Sequence, residues 1–139
     1  MVPIERQNRK AAFAAYRVAA EKIRAGNSCV VFPEGTRGDD YRIRPFKKGP
    51  FVLAIAAGVP IVPVLLHGTH DVFARGTWLV RPGQFDIHLL EPVPTAGLEY
   101  SDREKLAETV RSRIVDALAS IYGIESESTV GQPQMADSD

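Results

Sequence analysis

A chain of 139 residues, 45% hydrophobic and 24% charged, has the size of one domain with its own core. Its formal net charge of zero gives a general nucleic-acid role no electrostatic support, and its single cysteine excludes an internal disulfide and a cysteine zinc cage. No basic-then-apolar leader opens the chain, and no apolar run approaches the roughly 18 residues needed to cross a bilayer. The expected location is cytoplasmic, with room for peripheral contact with the inner face of the cell membrane.

Residues 2–6 read as the last residues of a strand. A helix is predicted over residues 8–25, where Ala12, Phe13, Tyr16, Ala19, Ala20 and Ile23 recur at three- and four-residue steps. Gly26 stops it. Residues 28–32 form an apolar run that predicts a buried strand, with Cys29 as a small apolar filler inside it. A second helix is predicted over residues 49–57, with Pro50 tolerated in its first turn and Gly58 beyond its end. Residues 59–66 are almost continuously apolar, the pattern of a strand covered on both faces, although Pro63 argues for an irregular ladder.

Residues 68–82 read as an irregular excursion holding the lone Trp78, for which packing over the sheet is favoured over dipping into a membrane interface. Residues 84–90 alternate and predict a more exposed edge strand, with His88 outward. A last helix starts at Ser101, where Glu104 completes a capping-box spacing, and Leu106, Val110, Ile114, Leu118 and Ile121 form its apolar stripe. Residues 1–123 are therefore assigned to the domain and residues 124–139 to a disordered tail. Strands alternating with helices predict an α/β fold, a mostly parallel sheet flanked by helices and truncated at its N-terminal side. In such sheets ligands bind beyond the carboxyl ends of the strands.

Phe32-Pro33-Glu34-Gly35-Thr36-Arg37 occupies that position. Proline ends the strand because it donates nothing to a ladder, and glycine permits the tight turn that follows. A carboxylate and a guanidinium are thus set side by side, with Lys47 and Lys48 ten residues on. Between Glu34 and Lys48 there are five basic residues and three acidic ones. This pattern suits a phosphate and a polar head group.

These residues resemble the glycerolipid acyltransferases, and lysophosphatidic acid acyltransferases in particular. Phe32 to Arg37 matches the family's third block, and Val59-Pro60-Ile61-Val62-Pro63-Val64 matches the fourth. Pro45-Phe46-Lys47-Lys48-Gly49 also looks like family sequence, and Ile4-Glu5-Arg6 resembles the end of the second block. The likeness spans residues 2–94. The family's first block, a histidine and an aspartate separated by four intervening residues, has no counterpart among His67, His70 and His88. His67 and Asp71 are one residue too close and follow the wrong strand.

The resemblance implies transfer of a fatty acyl group from acyl-CoA or acyl-carrier protein to the sn-2 hydroxyl of lysophosphatidic acid or a related acylglycerol phosphate. It implies no cofactor and no metal. The absent histidine would be the general base, so no residue here is assigned a catalytic role and activity of this chain alone is doubtful. Arg6 and Arg37 would pair with the acceptor phosphate through their planar forks. Glu34 would bond the glycerol hydroxyl or hold the arginines, with a purely structural cap as its alternative. Gly35 would let backbone approach the ligand, Thr36 would donate to phosphate or close the turn, and Lys47 would assist. His67 and His70 read as ordinary loop or strand-end residues. The alternative function is a non-catalytic lipid-phosphate or acyl-carrier binding module. A nucleotide-binding protein ranks last, because no Gly-x-Gly-x-x-Gly or Walker-type loop is present.

Overall fold

Helix α1 covers Ile4–Arg24, α2 Gly49–Ala57, and α4 Arg103–Tyr122; between them lie strand β1 (Val64–His67), the single turn α3 (Thr69–Val72) and strand β2 (Asp86–Leu89). The computed structural model describes residues 4–126 apart from Asp39 and Arg75, with backbone alone at residues 4–9 and 12. Ile4 to Arg6 are the first turn of α1, not the end of a strand. The residues that follow are rich in Ala, Arg and Lys, strong helix formers that carry the helix back past its expected start.

Helix α2 has the boundaries its flanking signals predict. Pro50 sits where its missing N–H costs nothing, and Gly58 adopts φ 68° so that its N–H reaches the carbonyls of Ala54 and Ile55. Helix α4 buries Leu106, Ala107, Val110, Ile114 and Leu118 against Phe51 of α2 and Leu65 of β1. Ile121 leaves the stripe and is exposed. The capping box lies two residues before the predicted one. Glu99 and Asp102 exchange side-chain and backbone bonds around the 3-10 turn Tyr100–Asp102 that leads into α4.

The α/β class holds, but the ladder that forms is antiparallel. Val64 pairs with Leu89, Leu65 with His88, Leu66 with Ile87 and His67 with Asp86. The connection from β1 to β2, residues 68–85, is long enough for a parallel crossover, but it holds one helical turn and no crossover helix. Pro63 interrupts the predicted run, so Ile61 meets Val93 in an isolated bridge and β1 starts after the proline. Residues 28–32 pair with no strand among the described residues; Cys29, Val30 and Phe32 are exposed instead of buried. An apolar run becomes a strand through a neighbour's amides, and none is supplied here.

The sheet has two unlike faces. Val64, Leu66, Ile87 and Leu89 point outward and stay exposed. Opposite them, Leu65, His67, Asp86 and His88 face the end of α4. The Tyr122 hydroxyl donates to Asp86 Oδ2 at 2.8 Å and lies 2.7 Å from His88 Nε2. A hydroxyl has one proton, so His88 Nε2 must donate to the tyrosine oxygen. His88 is therefore engaged and half-buried, not outward. His67 is stacked between Tyr41 (centroids 4.7 Å apart) and Tyr122 (3.6 Å).

Loss of solvation, reinforced by the neighbouring Asp86 carboxylate, pushes the Tyr122 phenol up to about 12. The unfolded chain then releases this proton first. Stability present below the ordinary tyrosine value is lost as pH rises toward about 12. An absorbance titration should show one of the four tyrosines ionising late, and Tyr122→Phe should remove that step. Asp86→Asn should move it down.

Contacts with the core run past the expected domain end. Ile124 packs against the cluster, and Ser126 is buried with its Oγ accepting the Ile43 N–H at 3.0 Å. The remainder of the predicted tail, residues 127–139, lies outside the described residues.

Candidate acceptor-binding site

Phe32 to Gly35 make the predicted turn, closed by the Gly35 N–H on the Phe32 carbonyl at 3.1 Å. The Pro33 carbonyl accepts the Lys47 N–H at 2.8 Å, which lays the Pro45–Gly49 stretch along the turn. Gly35 has φ 70°, and a Cβ there would stand 2.6 Å from Lys47 Cε. Glycine is favoured at this position by its backbone conformation, and the flexible end of Lys47 lies against it. Lys47 brings its ammonium over the turn, while its neighbour Lys48 leaves to bind Glu104 at 2.5 Å. That contact holds the Glu104 carboxyl below the usual range.

Glu34 is half-buried, and its Oε2 accepts the Arg44 N–H at 3.1 Å. One carboxylate oxygen therefore fixes the opposing loop, which is the structural part that the sequence left open for it. Arg37 is exposed at the end of the turn with its guanidinium 5.1 Å above the Phe73 ring. Thr36 is exposed and its Oγ1 lies 3.5 Å from the Arg37 carbonyl, a weak local contact compatible with turn closure. Arg6 stands in α1 where only backbone is described, so its proposed part lies outside the described side chains.

Sequence reasoning missed Arg111. This α4 residue is 3% exposed, donates from Nη2 to the Ile43 carbonyl at 2.9 Å and approaches Glu108 at 3.4 Å. Ile43 is held at both ends, its N–H by Ser126 and its carbonyl by Arg111. The next residue, Arg44, supplies the amide that orients Glu34. The readable signal was position. Arg111 is four residues after Ala107 and four before Val115, a core register where a cation needs a buried partner.

His67 and His70 are separate from this turn; the first is stacked between tyrosines and the second is exposed on α3. Among the described residues, no group of three or more His, Cys, Asp or Glu is placed to hold a metal ion. An apolar trough between α1 and α2, with Phe13, Ala14, Ala20, Val52 and Ala56 on its walls, includes no residue of the turn. No described helix is long and apolar enough to cross a membrane.

Residues 1–67 match the acyltransferase family model. The chain is 42% identical over 95 residues to a 1-acyl-sn-glycerol-3-phosphate acyltransferase of Limnanthes alba, covering 68% of this chain and 34% of that protein. It is 40% identical over 91 residues to the alpha 1-acyl-sn-glycerol-3-phosphate acyltransferase of Homo sapiens, covering 66% and 32%. The crystal structure of the 1-acyl-sn-glycerophosphate (LPA) acyltransferase PlsC from Thermotoga maritima superposes with a TM-score of 0.70 at 34% identity, over 81% of this chain and 46% of that one. The chain thus spans about a third of these two relatives and under half of the solved structure. Turn, crossing lysine and sequence likeness agree: the chain belongs to the glycerolipid acyltransferase family.

Proposed function

We propose that this chain supplies the phosphate-holding part of an O-acyltransferase that acylates the sn-2 hydroxyl of lysophosphatidic acid or a related acylglycerol phosphate. The acyl donor is acyl-CoA or acyl-carrier protein, and the reaction uses no further cofactor. The observation that carries this reading is the convergence of Lys47 on the turn that presents Glu34 and Arg37. Two cations at one turn can share a dianionic phosphate, and the free Glu34 oxygen can accept from a glycerol hydroxyl.

The transfer itself is simple in outline. The acceptor oxygen bonds to the thioester carbonyl carbon, the carbon–sulfur bond breaks, and a base takes the hydroxyl proton that the thiolate finally receives. The thioester is already activated, so the residues of the turn need only bind and orient.

The sequence contains no histidine followed five positions later by an aspartate. The alternative reading is a binding module that holds a lipid phosphate or an acyl carrier without turnover. Calorimetry with a water-soluble short-chain lysophosphatidate should show binding, whereas thioester consumption with a long-chain acyl-CoA should stay near background. Absence of binding would remove the phosphate-site reading. Robust turnover would mean that another residue serves as base.

A further inference from the structure

Between α3 and β2 the chain makes a loop pinned at its root. The Arg81 N–H donates to the Val72 carbonyl at 2.9 Å, and Gly68 packs against the backbone of Gln84 and Phe85. The tip beyond that root is apolar and uncovered. Trp78 is 98% exposed, Leu79 65% and Val80 62%, so the sheet does not receive the tryptophan as its sequence context predicted. Three adjacent large apolar side chains in water are costly, at about 25 cal/mol per Å² of apolar surface. At the root the character reverses. Arg81 is exposed, and the Arg37 guanidinium lies over Phe73.

We propose that Trp78, Leu79 and Val80 insert into the surface of an anionic lipid bilayer, with Arg81 and Arg37 at the level of its phosphates. The charge order fits that occupant: apolar side chains lead and guanidiniums follow, matching the sequence of acyl boundary and phosphate plane. Tryptophan favours that boundary because its ring is apolar and its N–H remains hydrogen-bonded to water or head group. A protein partner would be expected to supply a pocket for the indole, and no described part of this chain offers one. The consequence for the candidate site is direct. Insertion at Trp78 holds the Phe73–Arg37 contact near the head groups, where an acceptor lipid presents its phosphate. This placement rests on the acceptor reading for Arg37; the insertion at the tip does not.

Trp78 is the sole tryptophan, so intrinsic fluorescence reports the tip alone. Vesicles of phosphatidylcholine mixed with phosphatidylglycerol should shift its emission to the blue, and lipids brominated along the chain should quench it. Pure phosphatidylcholine vesicles should do much less. In co-sedimentation, Trp78→Ser should lower partitioning about tenfold, and Arg81→Ala about fivefold on the anionic vesicles. Both variants should bind the water-soluble short-chain lysophosphatidate as the native chain does, which separates failure of insertion from failure of the acceptor site. Unchanged emission, or an equal response to neutral vesicles, would overturn the proposal. So would a blue shift without lipid that grows with protein concentration, because a second copy would then cover the tip.

Discussion

Arg37→Ala should weaken binding of short-chain lysophosphatidate by roughly ten- to a hundredfold, the equivalent of the 1.5–3 kcal/mol that a charge-assisted hydrogen bond contributes. The reasoning is geometric. Arg37 is exposed at the end of a turn held by the Gly35–Phe32 and Lys47–Pro33 backbone bonds, neither of which uses its side chain. A loss of affinity would then report the guanidinium and not a collapsed loop. Arg37→Lys should recover part of the loss, because an ammonium keeps the charge without the two-pronged geometry. Calorimetry at two salt concentrations would separate these contributions, since an exposed charge is screened and a bidentate pair much less so. An unchanged dissociation constant for Arg37→Ala would sink the phosphate role.

The second large effect is expected far from the turn. Arg111→Met keeps the volume and apolar stem of a buried side chain but removes the donor to the Ile43 carbonyl. An unpaired buried carbonyl costs about 1–3 kcal/mol, so denaturation midpoints should fall accordingly. A competing outcome exists, because apolar replacement of a buried ion pair is often neutral or stabilising. Glu108 is largely exposed, so its ion pair with Arg111 contributes little beside the bond to the Ile43 carbonyl. The same variant should also loosen Glu34. In the native chain the Glu34 carboxylate should protect the Arg44 amide from hydrogen exchange; in Arg111→Met that protection should shrink. A variant as stable as the native chain, with the Arg44 amide equally protected, would show that the α4 clamp does not position the site.

Helix α2 was legible to the residue because its signals are local: proline inside the start, glycine past the end. The stripe of α4 was equally plain as far as Leu118, since four buried positions at helical spacing leave little else for a face to do. Residues 28–32 failed for the opposite reason. Their strand depends on a neighbour's backbone, and no periodicity within five residues can say whether that neighbour is present. Pro63 correctly warned of an irregular ladder, yet the antiparallel pairing went with a connection to β2 that holds no crossover helix.

In the site, Gly35 and Lys47 could be named from the sequence but their crossing could not. The crossing depends on the Pro33 carbonyl drawing residues 45–49 alongside the turn. Trp78 was placed against the sheet on the general habit of large aromatics; the pinned root of its loop carries it outward instead. Arg111 could have been flagged as a cation at an apolar register. Its target, one carbonyl 68 residues earlier, could not.

The segment that orients Glu34 is fastened by side chains made much later in synthesis. Ile43 waits for Arg111, and for Ser126 across a separation of 83 residues; Tyr41 waits for the pile of rings that ends at Tyr122. A nascent chain emerging N-terminus first therefore exposes the turn at residues 32–35 well before the ribosome has delivered what braces it. The turn that carries Glu34 becomes rigid only once residue 126 has been made and α4 has docked.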